Sequence, residues 1–228
     1  MIPLHDDVRT RRFAVVTATI IAVNTLIFLF ELSLPRYGLT LNEVFLRAGA
    51  IPYELTHQVD VLPHDFVPVW GTVLTSLFLH GGWLHLIFNM LFLWIFGNNI
   101  EDTMGRLRFL LFYLLCGSIA GWTQALVDPG SVAPMIGASG AIAGVMGAYI
   151  VLFPRAHVLT VVPLVFFWPV FYLPAWVVLL AWFGLQFLEG TLSLGASSNV
   201  AFFAHIGGFL SGAVLVRLFV GRRRLRPA

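Results

Sequence analysis

The chain is built of long apolar runs, and few side chains inside them can move a proton or hold a developing charge. Those few are His80, His85, Asn89, Ser139 and His205, with Gln124 a weaker member. Strongly polar groups in such runs are costly to keep and mark function by default. A serine hydroxyl beside an imidazole is the pairing for nucleophilic attack on a carbonyl, the imidazole taking the hydroxyl proton. His85 and Asn89 are four apart, on one face of a helix, and both can donate hydrogen bonds to an oxyanion. Acyl transfer is the chemistry these residue types can perform. No Asp or Glu lies in the apolar stretches near Ser139 or His205, so the pair would work as a dyad.

The glycines indicate which elements bring the pair together. Ser139 sits in Gly137-Ala-Ser-Gly140, with Gly144 four residues beyond Gly140. His205 is followed by Gly208 and Gly212, again four apart. Small residues at this spacing let two helix backbones approach closely in lipid. A helix starting at Ser139 packed on one carrying His205 would place the hydroxyl within hydrogen-bond reach of the ring.

The elements themselves follow from composition. Of 228 residues, 59% are hydrophobic and 11% charged, with mean hydropathy +0.89. A soluble domain carries about a quarter charged residues, so the chain is expected in lipid. An all-α, polytopic fold of six spans is expected: Phe13 to Leu34, Trp83–Asn98, Leu107–Val127, Ser139–Phe153, Leu173–Leu188 and Val200–Val220. Residues 35–79 read as a long structured outer loop lying partly in the interface, with Glu31 and Glu189 interfacial at span ends. Pro154–Pro174 is apolar but interrupted by Pro163, Pro169 and Pro174, and interior prolines cost a helix about 3 kcal/mol each. It reads as an extended connector. The whole chain, 1–228, is expected to be a single membrane domain with cytoplasmic tails at 1–12 and 221–228.

Charge sets the orientation. All 13 basic residues are arginines. With the N-terminus cytoplasmic, six crossings leave all but Arg36 and Arg47 inside, as the positive-inside rule requires. The pI near 9 therefore reflects membrane topology and implies no nucleic acid partner. His85, Ser139 and His205 then fall at one depth in the outer leaflet. The span opening at Ser139 would be only roughly 22 Å long at 1.5 Å per residue against a hydrocarbon core of about 30 Å. Its start would be recessed, with unpaired N–H groups facing a water-filled pit.

These motifs, in this order, resemble bacterial-type rhomboid intramembrane serine proteases across nearly the whole chain. The resemblance implies that Ser139 of Gly137-Ala-Ser-Gly140 is the nucleophile, although the full Gly-x-Ser-x-Gly form is not present. It implies that His205, in Ala204-His-x-x-Gly208-x-x-x-Gly212, is the general base. His80, His85 and Asn89 match the family's His-x4-His-x3-Asn, with His85 and Asn89 helping to form the oxyanion hole and His80 structural. Glu101 matches the acidic residue at the inner end of the second span. The implied activity is endoproteolysis of single-pass membrane proteins, without a cofactor or metal, in a bacterial inner membrane. Two departures stand out. Trp70 is followed by Gly71 where many relatives have Trp-Arg, and Ala143 stands where some have an aromatic ring stacked on the base.

Other readings leave weaker traces. Cys116, the one cysteine, reads as a small buried hydrophobe. A metal centre is disfavoured: there is no His-Glu-x-x-His, and His80 and His85, five apart, would diverge around a helix. Asn89 has a helix–helix hydrogen bond as its competing role, and Gln124 a packing role beside a water-holding one. A transporter would be expected to show internal repeats, and none is apparent. A scaffold binding transmembrane helices would not require both serine and histidine.

Overall fold

A computed structural model describes residues 1–60, 67–164, 167–192 and 200–220. Asp65 of the long loop and Arg222, Arg223, Arg224 and Arg226 of the C-terminal tail lie outside them. The helices, in chain order, are α1 (Val15–Glu31), α2 (Leu41–Ala48), α3 (Pro52–His57), α4 (Thr72–Thr75), α5 (Trp83–Met104), α6 (Arg106–Val127), α7 (Ser139–Leu152), α8 (Ala175–Leu192) and α9 (Phe202–Phe219). Four of these, α5, α6, α8 and α9, are long and apolar enough to cross a membrane; α1 and α7 are apolar but shorter.

The centre of the bundle is α7. Every residue from Gly140 to Tyr149 is buried, because α5, α6 and α9 all pack on it. Small residues permit this. A Cβ added at Gly144 would strike the Cys116 side chain of α6, and one at Gly147 would strike the Phe209 backbone of α9. Cys116 is fully buried at that α6–α7 contact. Along α9, Gly208 faces the Gly140 carbonyl and Gly212 faces that of Gly144, each too close for a Cβ. The two glycine rows thus mesh backbone to backbone.

The fold is mostly helical, but the expectation of an all-α chain needs correcting. Three strands, β1 (Ile2–Asp6), β2 (His157–Val161) and β3 (Val170–Pro174), form an antiparallel sheet in the order β1-β2-β3. The prolines of the connector stop a helix, and the β-branched and aromatic residues between them suit a hairpin. The N-terminal segment, expected as a tail, supplies the third strand, with Ile2 opposite Val161 and Asp6 opposite Val158. Asp6 is buried there, its Oδ2 accepting from Asn99 Nδ2 of α5 and Tyr149 Oη of α7, each at 2.5 Å.

Helix ends also differ from expectation. α5 continues past Asn98 to Met104 and turns directly into α6 at Gly105, whose φ of +86° favours glycine. The polar end of α5 is stabilised by α1. Glu101 Oε1 accepts from Val16 N–H at 3.0 Å, and its Oε2 accepts from the Thr17 N–H at 2.7 Å and hydroxyl at 2.9 Å. Leu173 belongs to β3, so α8 starts later and ends later than Leu173–Leu188. Glu31, at the end of α1, is covered by protein, 1% exposed, and its carboxylate accepts from the His80 N–H at 3.4 Å.

Candidate active site

Ser139 is the first residue of α7, so its N–H is among those with no acceptor one turn back. The peptide before it turns on Gly137, whose φ is +115° and whose N–H donates to the Ser76 carbonyl at 2.8 Å. A Cβ at Gly137 would lie 2.5 Å from His85 Nε2 and 3.6 Å from Asn89 Nδ2. Only glycine satisfies both conditions, and its bareness brings the two side chains from α5 against the start of α7. His85 Nδ1 accepts from the Gly81 N–H at 3.4 Å. In the neutral ring that leaves the proton on Nε2, the nitrogen facing Gly137. Asn89 Nδ2 is buried with no hydrogen-bond partner among the described residues.

His205 lies in the first turn of α9, and its Nε2 is 2.7 Å from Ser139 Oγ. The close approach of Gly208 to Gly140 sets this distance, because Gly140 follows Ser139 and Gly208 lies about one turn from His205. The other ring nitrogen, Nδ1, is 2.5 Å from Gln186 Oε1 of α8. Trp182, one turn earlier on α8, has its ring centroid 5.8 Å from that of His205 at an interplanar angle of 41°. The ring is therefore held from α8, whereas Ala143 of α7 offers no aromatic surface.

A cavity of about 400 Å³ joins these groups, lined by His85, Asn89, Ser139 and His205 together with Gln186 and Trp182. Phe88, Phe92, Ile142 and Met146 make much of the remaining wall apolar. The cavity combines a hydroxyl–imidazole pair, amide and imidazole donors, and an apolar bed. That combination can hold an extended peptide, attack a carbonyl and stabilise the resulting oxyanion.

The remaining sequence candidates fall around this site in supporting places. His80 is fully buried just before α5, and its ring meets that of His85 edge to face at 5.1 Å. The two rings do not diverge around a helix as expected, because α5 begins only at Trp83. Gln124 Oε1 accepts from the Phe203 N–H at 3.0 Å and so caps the start of α9 two residues before His205. Sequence reasoning missed Gln186 and Trp182. A lone amide in an apolar run is the same signal that singled out Gln124, and Gln186 carries it in Phe183-Gly-Leu-Gln-Phe-Leu188.

Compared with known families, residues 68–222 match the Rhomboid domain. Rhomboid protein 1, mitochondrial, of Saccharomyces cerevisiae is 33% identical over 160 residues, covering 68% of this chain and 43% of that protein. Rhomboid protease GluP of Bacillus subtilis is 35% identical over 132 residues, 58% of this chain and 24% of its own length. Rhomboid-like protein 11, chloroplastic, of Arabidopsis thaliana is 41% identical over 83 residues, 36% of this chain and 29% of its own. The chain thus spans less than half the length of these relatives. The family match takes in α5 to α9 with Ser139, His205, His85 and Asn89 all inside it, and this multi-pass membrane protein belongs to the rhomboid family.

Proposed function

We propose that this protein is an intramembrane serine endopeptidase acting through a Ser139–His205 dyad. The observation that carries the reading is the 2.7 Å separation of Ser139 Oγ and His205 Nε2 on two different helices, inside a cavity with apolar walls. A substrate segment unwinds in the cavity between α5 and α8, and its scissile carbonyl carbon lies against Ser139. His205 Nε2 takes the hydroxyl proton as Oγ attacks. The oxyanion is held by the Ser139 N–H, His85 and Asn89. Collapse of the tetrahedral species expels the amine, which takes the proton from His205, and water then resolves the acyl-enzyme by the same steps in reverse.

The substrates are single-pass membrane proteins. Six helices, α1 and α5 to α9, cross the bilayer with both termini cytoplasmic, in a bacterial inner membrane. The short α7, at 14 residues about 21 Å long, leaves room for water above Ser139. The reading is tested with purified protein and a transmembrane substrate. Ser139→Ala and His205→Ala each abolish cleavage, and the double variant is no worse than either, because the two act as a unit. A fluorophosphonate labels Ser139 and no other residue. Cleavage that persists in Ser139→Ala overturns the reading.

A further inference from the structure

We infer that Gln186 is a positioning residue for the base: its side-chain oxygen fixes the tautomer of His205 that can accept the serine proton. The inference rests on the dyad reading above and adds a third group that supplies no charge. A neutral imidazole carries one proton, on Nδ1 or on Nε2. With the proton on Nε2, His205 would donate to Ser139 Oγ and could not take its proton. With the proton on Nδ1, the Nε2 lone pair faces Oγ at 2.7 Å. Gln186 Oε1, 2.5 Å from Nδ1, can only accept, so the bond it makes requires the proton on Nδ1. Of the two amide orientations, this one leaves the base competent.

The arrangement divides labour between two helices. α9 carries the imidazole, while α8 carries the groups that aim it. Gln186 and Trp182 are four apart on α8 and so share a face; one bonds the ring nitrogen and the other lies along the ring. As His205 takes the serine proton, Gln186 Oε1 still accepts from Nδ1–H. The Trp182 ring, at 5.8 Å, lies within the range over which an aromatic face attracts a cation. No proton passes to Gln186. It does by geometry what a carboxylate does in a triad, without adding a second ion to the membrane interior.

The test compares Gln186→Leu, which cannot accept, with Gln186→Glu, which presents an oxygen in either protonation state. Rates are taken per Ser139 titrated by fluorophosphonate end-point labelling, so that lost fold does not count as lost chemistry. In Gln186→Leu, kcat and the labelling rate fall together by about 10- to 100-fold, a range set below the loss from a forced wrong tautomer, while KM stays within about twofold. Gln186→Glu recovers most of the rate. Imidazole ¹⁵N spectra of histidine-labelled protein, with the signals assigned by their loss in His205→Ala, place the neutral His205 proton on Nδ1 in the parent chain and shift it towards Nε2 in Gln186→Leu. An unchanged kcat in Gln186→Leu, or an equal loss in Leu and Glu variants, overturns the assignment. If the parent chain neither cleaves nor labels at Ser139, the dyad reading fails. The spectra still decide Gln186: a proton on Nε2 in the parent chain, or a tautomer indifferent to Gln186→Leu, overturns it.

Discussion

Gly208→Ala adds a single methyl group at the contact that sets the Ser139–His205 distance. A Cβ built at Gly208 overlaps the Gly140 carbonyl oxygen, lies 3.0 Å from its carbon and 3.3 Å from the Ala143 Cβ. Non-bonded atoms rest at roughly 3.5 Å, and the obstruction is backbone rather than the tip of a flexible side chain. Relief requires α9 to move away from α7 by about 1 Å, since overpacked cores respond with backbone shifts costing typically 1–3 kcal/mol. Ser139 adjoins Gly140 and His205 lies one turn from Gly208, so the shift passes to the dyad. Its 2.7 Å bond then opens past the limit of about 3.2 Å for a useful hydrogen bond. A misplacement of this size costs on the order of 100-fold in rate. Turnover of a transmembrane substrate and thermal unfolding in the same detergent are the assays. Gly184→Ala on α8 is the control, because nothing lies within 4 Å of its added Cβ. Activity of Gly208→Ala within about threefold of the parent chain at an unchanged unfolding midpoint would refute the claim that this contact sets the dyad geometry.

Other perturbations separate holding from chemistry. Glu101→Ala removes the acceptor for two N–H groups and a hydroxyl of α1 and should cost about 2–4 kcal/mol, read as a lowered midpoint in denaturant titration; an unmoved midpoint means the contact contributes nothing. Asn89→Ala should lower kcat by about 10- to 1000-fold and leave stability intact, since Nδ2 has no partner to lose among the described residues; a variant that unfolds early yet turns over normally assigns Asn89 to packing. Burial pushes the Asp6 carboxyl up from 3.8 to about 6. Between those values the folded chain holds a proton that the unfolded chain has lost, so stability falls as pH rises through that window and levels off above it. Asp6→Asn should flatten that slope, and parallel unfolding curves for the two proteins from pH 4 to 7 would exclude Asp6 as its source.

The candidate reacting groups were legible because the membrane makes polar residues conspicuous. Ser139, His205, His85 and Asn89 interrupt apolar runs, and the glycines beside them reported which helices meet. The sheet was hidden for the opposite reason. Pro163, Pro169 and Pro174 showed that 154–174 was no span, but the strand that extends the connector's own β2–β3 pair into a three-stranded sheet is Ile2–Asp6, about 150 residues away. Five residues of mixed polarity carry no local sign of such pairing.

The supporting polar groups were the least legible, and the reason lies in how these helices start. In the loop, α2 is capped locally by Thr40 and Glu43 in a capping box, a pattern that sequence rules recognise. The helices of the bundle lack such signals: Ala14, Gly82, Gly105, Ala138 and Ala201 precede α1, α5, α6, α7 and α9, and none makes a side-chain cap. Capping groups for two of these starts come from neighbouring helices instead. Glu101 of α5 serves α1, and Gln124 of α6 serves α9. Gln186 of α8 does the same for a ring nitrogen rather than a backbone N–H. Each is a polar residue whose partner lies on another helix, and a rule that looks three residues along the chain cannot see it. The start of α7 receives no such cap from Ala138. Its first residue, Ser139, lines the cavity, where the proposed reaction develops its negative charge.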